Sequence, residues 1–135
     1  MEQIYIHNTT DWFSINAGLK QGCVLSTVMF NIFINNLIDD IKSLNIGIDI
    51  DGEKIAILLC ADDVVLMAEN TEDIQKLINV LGVWCNNNCL KVNLSKSKVM
   101  HFRNPSVDRS NYQFILNGEV FDYVSSYQYF RFGAE

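Results

Sequence analysis

Two neighbouring aspartates, Asp62 and Asp63, interrupt the longest apolar run of the chain, Ile55 to Ala68. The sequence predicts an apolar strand at Lys54 to Cys60 and another at Val64 to Met67, so the pair stands at the junction between two strands. Burying bare carboxylates is costly, and two adjacent ones repel each other. The fold must therefore bring a cation to this junction or turn both side chains into water.

The local sequence leaves two interpretations of the acidic pair open. Magnesium suits two carboxylates because the ion keeps coordination positions for water and for substrate phosphates. A tight Asp-Asp turn between two strands accounts for Asp62 and Asp63 without any ligand. Only the surrounding motifs can favour one interpretation over the other.

The apolar spacing predicts two main helices. The first extends from Leu25 to about Leu44, with apolar residues at positions 25, 28, 29, 32, 33, 37 and 41. The second begins at Thr71 and ends at the polar triplet Asn86 to Asn88. Acidic residues occupy its first turn, where the helix dipole favours them.

Short strands and tight turns make up the other predicted elements. Asp51-Gly52 is a two-residue turn signal after the alternating segment Ile46 to Ile50, and Asn117-Gly118 is a type I′ hairpin signal. Further strands are predicted at Ile4 to His7, Trp12 to Ala17, Lys98 to Phe102, Tyr112 to Leu116 and Val120 to Phe121. The expected fold is α+β: an antiparallel sheet with two main helices packed on it and a C-terminal hairpin.

Charge and cysteine content restrict the partners and the compartment. The chain has 135 residues, about one domain, and its 16 acidic against 10 basic residues give a formal net charge of -6. Such a surface repels nucleic-acid phosphates on average, so the chain alone is expected to bind nucleic acid weakly. Four cysteines without a signal peptide predict free thiols in an intracellular compartment, cytoplasmic or nuclear, with no membrane association.

Two further motifs flank the aspartates along the chain. Gly18 to Ser26 reads GLKQGCVLS before the first helix, and Asn93 to Met100 reads NLSKSKVM after the second. In this order, and together with Cys60-Ala61-Asp62-Asp63, they closely resemble the palm region of reverse transcriptases of the non-LTR retrotransposon type. Those enzymes are RNA-directed DNA polymerases. The resemblance implies Mg²⁺-dependent nucleotidyl transfer with an RNA template, a DNA primer and a dNTP.

The resemblance assigns catalytic roles to three residues. Asp62 and Asp63 match the acidic pair of the catalytic hairpin and would be metal ligands. Lys96 matches a lysine suggested to protonate the leaving pyrophosphate. A solvated turn lysine is the alternative interpretation of Lys96.

The resemblance also places four residues near the nucleotide or the template. Gln21 and Gly22 would lie against the incoming nucleotide and the template, whereas a glycine-bracketed loop before a helix would explain them without a ligand. Cys60 and Ala61 occupy the two positions before the acidic pair. The family usually has an aromatic residue where this chain has Cys60, and that aromatic packs near the primer end.

The family's catalytic centre takes another carboxylate from an earlier strand. Asp11, the sole aspartate before Gly18, does not fit that position. We therefore expect a partial palm at 1–110 and a primer-grip-like hairpin at 111–135, without fingers or thumb. Such a truncated retroelement fragment is expected to be inactive alone. The alternative is a non-catalytic interaction module whose exposed sheet edge pairs with a partner strand or with a second copy.

Overall fold

The computed structural model describes residues 24–60, 62–108 and 110–128. Their elements are α1 (Val24–Ser43), β1 (Ile48–Ile50), β2 (Glu53–Ile55), β3 (Ile57–Cys60), β4 (Asp63–Leu66), α2 (Thr71–Asn87), β5 (Lys98–Met100), β6 (Ile115–Leu116), β7 (Glu119–Val120) and β8 (Asp122–Val124). This combination of helices and short strand pairs confirms the predicted α+β fold. The hairpin predicted at Ile4 to His7 and Trp12 to Ala17 lies outside the described residues.

Helix α1 covers nearly the residues that the apolar spacing predicts. Its inward face buries Ile34, Leu37 and Ile41 in the main core. The helix ends before Asn45, which adopts a left-handed φ of 51°. Asparagine tolerates this conformation better than most residues do, and a left-handed residue just after a helix stops its propagation.

Helix α2 is capped at both ends by its own sequence. At the start, the Asn70 side-chain oxygen accepts a hydrogen bond from the Asp73 N–H at 2.9 Å. At the end, the Leu90 N–H donates to the Cys85 carbonyl at 2.9 Å, and Cys89 takes the left-handed position of a Schellman motif with φ 55°. The predicted start and end of this helix are confirmed.

The two glycine-containing turn signals both form two-residue hairpins. Asp51 and Gly52 have φ of 54° and 87°, and Asn117 and Gly118 have φ of 51° and 84°. Positive φ at both central residues is the property of a type I′ turn, whose twist matches that of antiparallel strands. The turns join β1 to β2 and β6 to β7, as the sequence predicts.

The prediction of one continuous strand from Lys54 to Cys60 is wrong. The strand is divided at Ala56, so β2 pairs with β1 whereas β3 pairs with β4. Gly47 lies against the backbone at this division, because a Cβ added to it would come within 2.7 Å of the Ile55 carbonyl carbon. This close approach of two backbone segments is not encoded in the alternation of apolar residues.

The strands form separate two-stranded pairs within the described residues, rather than one sheet. Pairs β1–β2, β3–β4 and β6–β7 are antiparallel, as expected. Strands β5 and β8 are parallel, with Lys98 opposite Asp122 and Met100 opposite Val124. The C-terminal hairpin is therefore confined to β6 and β7, because β8 leaves it to pair with β5.

Two apolar clusters share α2. The larger cluster joins α1, α2 and the β3–β4 hairpin around Leu37 and Leu77. The smaller cluster joins α2 to the C-terminal strands through Ile78, Phe114 and Phe121. The β3–β4 hairpin therefore packs against both helices on one side.

Among the described residues, neither helix is apolar enough over a sufficient length to cross a membrane.

Candidate active site

The acidic pair lies at the tip of the β3–β4 hairpin. Cys60 and Asp63 stand opposite each other in antiparallel register, so residues 61 and 62 connect the two strands. Both Asp62 and Asp63 are exposed. Exposure to water removes the desolvation cost that the apolar flanking residues would otherwise impose on two carboxylates.

The two faces of this hairpin differ. The side chains that pack against the main core are Ile57, Leu59, Val64 and Leu66. Because side chains alternate along a strand, the cross-strand pairs Leu58–Val65 and Cys60–Asp63 lie on the opposite face. Leu58 is 47% exposed there. Asp63 and Cys60 therefore lie on the face of the hairpin opposite the core, where Leu58 and Asp63 are exposed and Val65 and Cys60 are half-buried.

The chemistry of the acidic pair fits a hard cation. Mg²⁺ takes oxygen ligands and is commonly held by one or two carboxylates, with water and substrate phosphates completing its shell. Asp62 and Asp63 supply two such groups. Over 24–60, 62–108 and 110–128, no three His, Cys, Asp or Glu side chains gather into a group that could hold a metal ion. Because the two aspartates supply only two side chains, an ion held by them would need water or phosphates to complete its shell.

Lys96 lies in the loop between α2 and β5, and Asn93 organises the backbone of that loop. The Asn93 carbonyl accepts hydrogen bonds from the N–H groups of Lys96 at 3.1 Å and Ser97 at 3.0 Å. The Asn93 side-chain oxygen accepts a hydrogen bond from Ser95 Oγ at 2.7 Å. Lys96 is exposed, and its ammonium forms no ion pair with a residue that the structure describes. The loop fixes the lysine backbone and leaves its charge available.

An open groove of about 420 Å³ runs beside the Lys96 loop. It is lined by Lys91, Val92, Asn93, Leu94, Ser95 and Glu119. Asp62, Asp63 and Lys96 do not line it. The structure thus brings Cys60 and Asp63 together as a cross-strand pair and places Lys96 in a separate loop between α2 and β5.

Gln21, Gly22 and Ala61 lie outside the described residues, so their predicted contacts with nucleotide and template stay predictions. Helix α1 begins at Val24, directly after the segment that carries Gln21 and Gly22. Ala61 directly precedes Asp62 in the sequence.

Asn93 and Tyr127 contact the Lys96 loop, and the sequence did not single out either as a functional candidate. Asn93 opens the motif that carries Lys96, and its turn-forming side chain was the available signal. Tyr127 donates a hydrogen bond from its hydroxyl to the Lys96 carbonyl at 2.9 Å. No local pattern could have identified Tyr127, because it is 31 residues from its partner.

Comparison with protein families gives a match over almost the whole chain. A family model described as reverse transcriptase (RNA-dependent DNA polymerase) matches residues 2–129. This range contains every candidate site residue, from Gln21 to Lys96. No solved structure gives a significant match to the chain.

Proposed function

This chain belongs to the reverse transcriptase (RNA-dependent DNA polymerase) family, and we propose that it is palm sequence of the non-LTR retrotransposon type. In this proposal Asp62 and Asp63 are magnesium ligands at the catalytic hairpin. The intact enzyme copies an RNA template by extending a DNA primer with dNTPs.

The exposure of Asp62 and Asp63 at the tip of the β3–β4 hairpin, with Asp63 on the face opposite the core, carries this proposal. A polymerase must bring a primer end and a triphosphate directly to its metal-binding carboxylates. Those carboxylates therefore need a face that the supporting helices do not cover. The apolar core side of the hairpin fixes the position of the strands, and both aspartates are exposed to water at its tip, where a substrate would meet them.

In this proposal each candidate site residue would have its own role in nucleotide addition. A bound Mg²⁺ would neutralise charge on the phosphates and favour deprotonation of the primer hydroxyl. Asp62 and Asp63 would supply the oxygen ligands, and Cys60 would lie beside the substrate as the cross-strand neighbour of Asp63. Lys96 would hold a proton at Nζ for the leaving pyrophosphate oxygen. Gln21, Gly22 and Ala61 would contact the nucleotide and the template.

We further propose that these 135 residues do not extend a primer by themselves. Two adjacent carboxylates hold a divalent ion only weakly until phosphates complete its shell. The net charge of -6 also opposes the approach of a nucleic acid.

Primer extension on an RNA template tests this inactivity. The purified chain is supplied with dNTPs and either Mg²⁺ or Mn²⁺, and no incorporation is expected. Incorporation that disappears in the Asp62→Ala variant would show that the chain is a complete catalyst and would overturn the proposal.

Magnesium titration followed by NMR tests the metal role. The chain offers a matched control, since Asp39 and Asp40 are also adjacent and exposed but lie on α1. Mg²⁺ is expected to shift the resonances of Asp62 and Asp63 at lower concentration than those of Asp39 and Asp40. The double variant Asp62→Asn/Asp63→Asn should lose this response, and Asp39→Asn/Asp40→Asn should keep it. Equal responses from both pairs would contradict a metal site at the hairpin.

A second candidate function is supported by the strand pairing. Within the described residues, β3 and β4 pair only with each other, so both outer edges of the hairpin lack a strand neighbour. Such edges can accept an added strand from another chain. Size-exclusion chromatography with light scattering distinguishes this function, because a monomer at all accessible concentrations that captures no partner strand argues against it.

A further inference from the structure

The loop that carries Lys96 is held from two directions. Asn93 binds it locally, as described above. From the C-terminal part of the chain, the Tyr127 hydroxyl donates a hydrogen bond to the Lys96 carbonyl at 2.9 Å. This bond joins segments that are 31 residues apart and involves the backbone of Lys96 only. It therefore restrains the loop without occupying the ammonium.

The path of the chain makes this second restraint specific. Strand β8 runs parallel to β5, and Val124 stands level with Met100. Lys96 precedes β5, so the chain after Val124 has to turn back for Tyr127 to reach it. The strand pair itself is tied by an ion pair between Lys98 Nζ and Asp122 Oδ2 at 2.7 Å. Tyr127 thus adds a hydrogen bond to the Lys96 carbonyl beyond the end of the β5–β8 pairing.

Lys96 shares its lack of an ion pair within the described residues with Lys42, Lys54 and Lys91, and differs in this from Lys76 and Lys98. Lys76 and Lys98 are each neutralised by an aspartate at 2.8 Å and 2.7 Å. What distinguishes Lys96 is that, in a loop, both its backbone N–H and its carbonyl are hydrogen-bonded, to Asn93 and Tyr127. A fixed backbone lowers the conformational entropy that the loop loses when its lysine binds an anion, and an unpaired ammonium has no ion pair to break first.

We infer that Tyr127 is a positioning residue, which holds the Lys96 loop so that the ammonium meets a pyrophosphate group. This inference rests on the proposed function of Lys96. Tyr127 does not touch the ligand in this arrangement, and it acts only through the Lys96 carbonyl. The ligand class is a diphosphate carried by magnesium, which offsets the negative charge of both the ligand and the chain.

The test is a titration of the whole chain with magnesium pyrophosphate, using Tyr127→Phe and a matched control. Tyr123→Phe removes the same kind of bond, because the Tyr123 hydroxyl donates to the Tyr112 carbonyl at 2.8 Å. Tyr127→Phe is expected to weaken pyrophosphate binding by about fivefold, the effect of one lost hydrogen bond. Tyr123→Phe should stay within about twofold of the unmodified chain. Lys96→Met should weaken binding by at least as much as Tyr127→Phe.

A spectroscopic measurement separates positioning from general stability. The ¹⁵N resonance of Lys96 Nζ should shift on pyrophosphate addition in the unmodified chain and in Tyr123→Phe. The shift should be smaller in Tyr127→Phe at the same ligand concentration, even where the two variants have the same melting temperature. Because Tyr127 is 49% exposed, loss of its hydroxyl is expected to leave the fold intact.

The outcomes distinguish this inference from the proposal that it rests on. If Lys96→Met weakens binding and Tyr127→Phe does not, the positioning role of Tyr127 is wrong while the role of Lys96 stands. If Lys96→Met binds pyrophosphate as the unmodified chain does, or if that chain shows no binding, the role of Lys96 fails and the inference fails with it.

Discussion

The two helices have similar lengths but different dependence on the rest of the chain. Helix α2 carries its own caps and lies between two apolar clusters, with Val83 as its one strongly exposed large apolar side chain among the described residues. Helix α1 packs one face into the core and leaves an apolar stripe exposed along its first half. That stripe consists of Leu25, Val28, Met29 and Ile32.

This difference shows that an apolar stripe on a helix does not by itself stabilise the fold. The apolar residues of α2 pack against the core clusters on either side of it and so stabilise the fold. A helix that is apolar on two faces, such as α1, gains from only the face that is covered. The hairpin with the acidic pair packs against both helices. Its position therefore depends on α2, whose apolar face is covered, and on α1, whose second apolar face is exposed.

The largest expected effects come from the inward faces. Leu37 on α1 and Leu77 on α2 are both 0% exposed. Substituting either by alanine is expected to lower the free energy of unfolding by about 2–5 kcal/mol, because each leaves a cavity in the shared core. Urea denaturation measures the change. Ile32→Ala, on the outward stripe of α1, should cost less than about 1 kcal/mol. An equal cost for Ile32→Ala and Leu37→Ala would show that the stripe is covered in solution.

The next effect concerns the joint between α2 and β6. The Gln75 side chain donates to the Ile115 carbonyl at 2.8 Å and accepts from the Ile115 N–H at 3.0 Å, in the manner of a neighbouring strand. Gln75→Leu should lower stability by about 1–3 kcal/mol, because both backbone groups lose their partner. Asn79→Ala is the control, since the Asn79 side-chain oxygen accepts a hydrogen bond from the same Gln75 amide at 2.8 Å and its loss leaves both bonds to Ile115 in place. Faster hydrogen exchange at Ile115 in Gln75→Leu alone would confirm the joint.

A smaller, stabilising effect is expected where each helix ends. Cys89 after α2 and Asn45 after α1 both have left-handed φ, 55° and 51°. Cys89→Gly should raise the free energy of unfolding by about 1 kcal/mol, since a cysteine Cβ is strained there and glycine is not. Asn45→Gly should give less, because asparagine already tolerates this conformation. Thermal unfolding of both variants measures the difference, and equal gains would contradict this reason.

The smallest effect is a pH dependence confined to α2. Hydrogen bonds from Lys76 and then from Asn70 hold the pKa of Asp73 below its ordinary value. A lowered folded-state pKa adds stability above the unfolded-state value of about 3.9, and this stability is lost as the pH falls through the folded-state value. Asp73→Asn should therefore flatten the acid limb of the stability profile. Asp39→Asn, on α1, is the control. Below about pH 4, the stability of that variant should fall more steeply with decreasing pH than the stability of Asp73→Asn does.

Much of the local structure was predictable from the sequence. The limits of both helices follow from apolar spacing and polar end residues, and two hairpins follow from Asp51-Gly52 and Asn117-Gly118. The junction position of Asp62 and Asp63 also follows, because two apolar strands flank them. These features depend on residues within a few positions of one another, where backbone sterics and hydrogen bonds act directly.

The arrangement around the candidate site was decided by tertiary structure. The partners Lys98–Asp122, Lys96–Tyr127 and Gln75–Ile115 are separated by 24, 31 and 40 residues. The division at Ala56 depends on Gly47 lying against the neighbouring backbone. The sequence by itself therefore determined the elements and the chemistry of the acidic pair. Only the folded chain determined which face of the hairpin packs against the core and what holds Lys96, because those depend on contacts between distant segments that no local periodicity records.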